Sequence, residues 1–448
     1  MPQKAFRDPV HNHIYLDKGR DRLILELLSC PEVQRLRRIR QLGVSSLTYP
    51  GAEHSRFGHA LGACHLMNQA LRTLRENQDL PVDENTRLVA LAAALLHDIG
   101  HGPFSHALEG ELFRTKNHER WTSEIIQNRA SSVNGKLREH DPSFPDTVAE
   151  LIEARPREHA WISYLIHSQL DVDRMDYLLR DSHFCGVRYG HHDADRIFHT
   201  MRIQCVLGGD VQQPVWLEKA KTAIEEYIFA RYYMYWNVYF HPTTRGYEEL
   251  LKAVFRRAAA VASGGAPKAG DCVAPLGRVL QGDDVGMEDF LSLDDSVIVA
   301  QLLRWRGGGT TDVTLRDLSR RFLDRDGLKP IELKAFTFDH VELFKEAEAE
   351  VRRAGWDPEF YFLKNEPKAS TYDYYHPERE SDELSPGTSI FIEEERPVGK
   401  SRFDELSTVS PRLKAVTGLE EGRRFCYVPA ECREAVKSIL GRSNADRV

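Results

Sequence analysis

Four side chains in the stretch LLHDIGHGPFSH, residues 95–106, are of types that do chemistry together: His97, Asp98, His101 and His106. Imidazole and carboxylate are common ligands of divalent metals, and imidazole moves protons near neutral pH. These groups close an apolar run, ENTRLVALAAALL, and that many buried polar groups cost dearly unless something satisfies them. Adjacent residues on a helix diverge by about 100°. One ion can therefore take both His97 and Asp98 only beyond the last turn, where Gly100 lets the chain leave.

One imidazole and one carboxylate do not complete a metal site. The candidates to complete it are His59, in the small-residue stretch EHSRFGHALG, and Asp173, in LDVDRMDYLLRD. Two neutral imidazoles and two carboxylates balance a divalent ion. They suit Mn, Fe, Zn, Mg or Ni in an open octahedral shell. Such an ion acidifies water and polarises phosphoryl oxygens. The blander readings are a helix cap for Asp173 and a buried hydrogen bond for the His97–Asp98 pair.

The elements that must position these groups read as mostly α-helical. PEVQRLRRIRQLG has helical spacing, with Pro31 suited to a first turn and Gly43 to the stop. SRFGHALGACHLMNQALRTLRE carries an apolar face with small residues that permit close packing. ENTRLVALAAALL is apolar nearly all round, which marks a buried central helix too short to span a bilayer. The aromatic EKAKTAIEEYIFARYYMYWNVYFHP reads as one helix. VASGGAPKAGDCV and NEPKASTYDYYHPERESDELSPG read as loops. Beyond residue 330, KPIELKAF, EFYFLKN, TSIFIEE and RFCYVPA predict short strands, and AECREAVKSILG a closing helix. The expected organisation is a catalytic core at 1–260, a helical extension at 261–330 and an α+β region at 331–448.

Composition narrows the function classes. A mean hydropathy of −0.47 and the absence of a long apolar run exclude a helical membrane protein. The opening MPQKAFRDPVHNH has no apolar secretory core, and the seven cysteines form no CxxC pair. The expectation is a cytoplasmic protein with reduced thiols. A net charge of −8 argues against a nucleic-acid partner but leaves room for a basic pocket.

In order, the motifs RDPVHNHIYLD, PEVQRLRRIRQLGVSSLTYPGAEHSRFGH, LLHDIGHGPFSH and LDVDRMDYLLRD resemble those of the HD-domain phosphohydrolases. The match is closer to their deoxynucleoside triphosphate triphosphohydrolase branch, which includes a SAM-domain enzyme; no SAM domain is expected here. The likeness is dense over residues 6–110 and 165–190 and looser to about 330. It implies a helical HD core and hydrolysis of a dNTP to deoxynucleoside and inorganic triphosphate.

The resemblance further implies metal ligands His59, His97, Asp98 and Asp173, with a second Mg accompanying the triphosphate. His101, His106, Glu109 and His118 would surround the α-phosphate and move protons; Glu109 stands where a family member has Asp. Arg56, Arg174 (Lys in the family) and Arg231 would neutralise the triphosphate, with Arg245 nearby. Gln41, Leu42, Tyr177, Asp181 and Tyr239 would line the sugar and base side. A regulatory nucleotide would use Gln34 and Arg37, but Ser29 replaces the acidic guanine-reading residue and Arg7 an Asn. Another nucleotide activator, or none, is therefore expected. Family members assemble as homo-oligomers, dimers to tetramers. The rival readings are an HD-type phosphodiesterase or nucleotidase, and a nucleotide-sensing scaffold without turnover.

Overall fold

A computed structural model describes residues 2–78, 80–113, 115–156, 158–206, 210–263, 272–333, 340–370, 389–394, 401–416 and 420–442. Strands β1 (Gln3–Asp8) and β2 (Asn12–Asp17) open the chain as an antiparallel hairpin with Asp8 opposite Asn12. Asn12 takes the left-handed conformation of the turn, at φ 63°. The sequence reading had not anticipated this hairpin.

Helix α1 (Arg56–Gln78) packs against α2 (Glu84–Leu96), the buried helix expected from its composition. Every α2 residue from Thr86 to Leu96 is buried, and Asp83 caps it by accepting from the Thr86 backbone N at 2.7 Å. Ala60, Gly62, Ala63 and Cys64 let α1 approach its neighbours closely. Helix α3 (His118–Gln127) is capped by Asn117. Helix α4 (Val172–Cys185) crosses α1; it starts on the Asp171 cap and stops at Gly186, whose φ of 70° favours glycine.

A second hairpin, β3 (Met201–Cys205) and β4 (Gln212–Leu217), precedes α5 (Lys221–Met234). The aromatic segment is not one regular helix. After Met234 it widens into a π turn at Tyr235–Tyr239 before α6 (Pro242–Ser263). Helices α7 (Asp295–Arg304) and α8 (Val313–Leu323) follow, and α8 packs on α6.

The C-terminal region is α+β as expected. Strands β5 (Lys329–Glu332), β6 (Leu363–Asn365), β7 (Phe391–Glu394), β8 (Arg402–Glu405) and β9 (Phe425–Val428) precede α9 (Arg433–Leu440). One antiparallel sheet has the order β5-β9-β6; a second sheet, β3-β4-β7-β8, contains a parallel β4–β7 pair. EFYFLKN corrects the expectation of a full strand. Asp357 caps a helical turn at Pro358–Tyr361, and Pro358 sits at its N-terminal position, so only Leu363–Asn365 is extended.

One apolar cluster runs from Ile14 through Trp305 to Leu440 and ties this region to the helical core. Most of each expected loop lies outside the described residues, at 264–271 and 371–387. Of the described parts, Val261–Ser263 continue α6 and Lys368–Ser370 form a short strand paired with Glu420–Gly422, which corrects the expectation of loop there. None of the seven cysteines is in a disulfide, and among the described residues no helix is long and apolar enough to cross a membrane.

Candidate active site

Helix α2 ends at Leu96, so His97 and Asp98 stand beyond its last turn. His97 Nδ1 donates to the Ala94 carbonyl at 2.9 Å, and its Nε2 lies 3.3 Å from His59 Nε2 on α1. Asp173, the second residue of α4, places Oδ1 3.0 Å from His59 Nε2 and 3.5 Å from His97 Nε2. Asp98 completes the group, with Oδ1 3.5 Å from His97 Nε2 and Oδ2 3.7 Å from His59 Nε2. The capping role falls to Asp171, which leaves Asp173 for the cluster.

Two imidazole nitrogens and two carboxylates this close demand positive charge between them. Without a cation, a proton serves. Burial opposes it, but hydrogen bonds to Asp173 and Asp176 prevail and raise His59 to about 10. Ligands about 2.1 Å from an octahedral ion lie about 3 Å apart along an edge. The spacings and the donor set fit a divalent cation.

The second group lies beside the first. The rings of His101 and His118 stack at 4.1 Å, and His106 meets His118 edge-on at 5.1 Å. Glu109 joins them: Oε1 accepts from the His118 backbone N at 2.8 Å and from His118 Nδ1 at 2.9 Å, while Oε2 lies 3.0 Å from His106 Nδ1. The longer carboxylate thus reaches both histidines. Burial opposes its ionisation, but hydrogen bonds from His106 and His118 hold it well below the usual carboxylate range. His101 Nε2 lies 3.3 Å from Asp98 Oδ1 and connects the two groups.

His106 rides on a 3-10 turn, Ser105–Ala107, preceded by strained backbone. Phe104 and Ser105 have φ of 55° and 53°, a region that bulky side chains rarely occupy. Side-chain hydrogen bonds hold the turn. Asp295 Oδ1 accepts from the Phe104 N at 2.7 Å and Oδ2 from the Arg40 N at 2.9 Å, while Arg56 Nε donates to Ser105 Oγ at 2.8 Å.

Both groups face a cavity of about 550 Å³. Gln41, Leu42, Arg56, Arg174, Tyr177, Asp181, Tyr239 and Arg245 line it beside His97, Asp98, His101, His106, His118 and Asp173. His59 is fully buried behind them. Arg231 differs: it is buried on α5 and does not line this cavity. Arg56 is ion-paired with Asp98, and Arg174 Nη1 with its own helix cap, Asp171. Asp181 accepts from the Tyr239 hydroxyl at 2.8 Å and pairs with His54 Nε2 at 2.8 Å. Gln41 Oε1 is buried with no hydrogen-bond partner among the described residues.

Gln34 and Arg37 lie elsewhere. Arg37 Nε donates to Gln34 Oε1 at 2.9 Å and stacks 3.6 Å over the Phe57 ring. With Arg38 and Arg40 it lines a separate surface pocket.

Several site residues escaped the sequence reading. Tyr235 joins Tyr239 at the cavity because the π turn presents both. Its signal was the four-residue spacing in YWNVY. His54 precedes His59 by five residues, and Asp176 follows Asp173 by three; each was quoted within a motif without a role.

A model of the HD-domain family, described as "HD domain", matches residues 56–181, the span from Arg56 to Asp181. The chain is 39% identical over 439 residues to the uncharacterized protein YwfO of Bacillus subtilis, covering 96% of this chain and 93% of that one. It is 33% identical over 216 residues to the deoxynucleoside triphosphate triphosphohydrolase SAMHD1 of Bos taurus, covering 41% of this chain and 36% of that one. A crystal structure of a phosphohydrolase from Bacteroides thetaiotaomicron superposes with a TM-score of 0.78 at 26% identity, covering 95% of this chain and 100% of that one. The HD-domain match and these relatives support a phosphohydrolase of the HD type. The chain belongs to the HD-domain family.

Proposed function

We propose that this protein hydrolyses deoxynucleoside triphosphates to deoxynucleoside and inorganic triphosphate. One observation carries the reading: a cation-demanding cluster, a histidine–carboxylate proton relay and arginines open onto one cavity. The similarity to SAMHD1, a protein named for this reaction, supports the substrate class.

His59, His97, Asp98 and Asp173 would hold a divalent ion, whether Mn, Fe, Zn, Mg or Ni; a second Mg would arrive with the triphosphate. When bound, the ion acts as a Lewis acid and acidifies the attacking water. The chain's own residues do the rest. Arg56, Arg174 and Arg245 supply positive charge along the triphosphate, and Gln41 offers a buried amide to the sugar. Water oxygen bonds to the α-phosphorus and releases a proton to solvent. The bond to the 5′-oxygen breaks, and His106 delivers a proton to that oxygen, giving the deoxynucleoside 5′-hydroxyl and inorganic triphosphate. Glu109 holds His106 Nδ1, so Nε2 is the atom left for this transfer.

Incubation with each dNTP and Mn, followed by chromatography of the products, tests the proposal. Intact triphosphate and deoxynucleoside are expected. Phosphate or a nucleoside monophosphate would assign a nucleotidase or phosphodiesterase instead. Binding without product at any metal would assign a sensing scaffold.

A further inference from the structure

The opening motif RDPVHNHIYLD forms the hairpin β1–β2, far in sequence from any residue of the cavity, yet its turn reaches the back of the metal-site cluster. Asp8 Oδ1 accepts from the Val10 and His11 backbone N atoms, each at 2.9 Å, and so shapes the turn. That turn delivers His11, whose Nε2 lies 2.6 Å from Asp176 Oδ1. Asp8 Oδ2 accepts from Arg180 Nη1 at 2.8 Å. Arg180 in turn clasps Asp176 through its Nε–Nη2 edge, Nε to Oδ2 at 2.8 Å and Nη2 to Oδ1 at 2.9 Å. The remaining contact of Asp176 is His59 Nδ1, 2.8 Å from Oδ2.

We infer that Asp176 is the positioning residue of the metal ligand His59, and that the N-terminal hairpin, through His11 and the Asp8–Arg180 pair, holds Asp176 in register. This inference rests on the metal site proposed above. Asp176 is fully buried and does not line the cavity, so any influence it has on the site passes through His59. With Nδ1 bound to Asp176, Nε2 is the nitrogen turned toward Asp173 and His97. A carboxylate behind a ligating histidine fixes its orientation and strengthens it as a ligand.

A buried carboxylate–guanidinium pair is costly to desolvate and is retained only where its hydrogen bonds are saturated. Here each Asp176 oxygen has two partners. The packing is also built around the pair. A Cβ on Gly62 of α1 would stand 1.9 Å from Asp176 Oδ1 and 2.5 Å from Arg180 Nη2. Glycine at 62 is the space that lets the pair lie against the helix bearing His59.

The test is Mn2+ binding, measured by titration of chelator-stripped protein. Asp176→Asn keeps the volume and removes the charge; the Mn2+ Kd is expected to rise 10- to 100-fold, with occupancy recovered at high Mn2+. His11→Ala, which leaves Asp176 paired with Arg180, is expected to raise it several-fold. The Tm of each metal-free protein separates the roles: a purely structural contact lowers that Tm and leaves the Kd of the folded protein unchanged. A wild-type Kd in folded Asp176→Asn overturns the inference. Should that variant not fold, a wild-type Kd in His11→Ala overturns it equally. Wild-type protein that binds no Mn2+ would sink the metal site itself, a result distinct from either.

Discussion

Tyr239 donates its hydroxyl to Asp181 Oδ2 at 2.8 Å, joining the π turn after α5 to helix α4 across the cavity. The second Asp181 oxygen is held by His54. A carboxylate fixed on both sides presents a defined edge to a ligand, and the π turn is what brings Tyr239 within reach. Tyr239→Phe removes one of the two restraints without opening a cavity. A fall in kcat/KM of about tenfold is expected, the worth of one hydrogen bond in a buried site, with metal content unchanged. Steady-state kinetics beside metal analysis check it. A loss of metal in this variant would refute the assignment of Tyr239 to substrate.

The metal cluster makes a sharper prediction. His97→Ala and Asp98→Ala each remove a proposed ligand from a group whose crowded nitrogens and carboxylates demand positive charge. Both are expected to abolish stoichiometric metal and turnover while preserving the helical circular dichroism, because α2 is anchored by the apolar residues preceding them. Full activity in either variant would count against the site.

The clustering of His59, His97, Asp98 and Asp173 was legible because their chemistry is carried by residue type and by order along the chain. A histidine–aspartate pair closing an all-apolar helix has few structural uses, and helix lengths follow from apolar periodicity. What was not legible depends on packing between distant segments. The hairpin contact of His11 with Asp176 spans 165 positions and has no local signature. The π turn differs from an α-helix by one residue per turn, which composition does not encode; YYMYWNVYF therefore read as a single helix. Arg231 was placed by motif order alone, and its side chain is buried away from the cavity lining.

Glu109 is the group whose substitution separates proton transfer from binding. It holds His118 as well as His106, so Glu109→Gln disturbs both rings and removes the negative charge that favours a protonated imidazole. A drop in kcat of about 100-fold is expected, within the usual range for losing general acid catalysis, with KM and metal content near wild type. Glu109→Asp retains the charge and is expected to lose less. Equal losses in the two variants would show that length matters there as much as charge.

Asp295 yields the pH dependence. Burial raises its pKa to about 6, against the opposing hydrogen bonds from the Phe104 and Arg40 backbone N atoms. A carboxyl group with a raised folded-state pKa stabilises the fold fully below its unfolded value, 3.8, and that contribution is lost as pH climbs through about 6. The loss amounts to about 3 kcal/mol. Asp295→Asn cannot ionise. It carries a constant cost, because its amide turns an N–H toward one of those backbone donors, but it escapes the penalty at neutral pH. Urea unfolding of both proteins between pH 4 and pH 7.5 should therefore show the variant gaining on wild type as pH rises. A gap that stays constant across that range would mean that Asp295 keeps one ionisation state throughout. Asp295 would then tether the strained Phe104–Ser105 backbone with no dependence on pH.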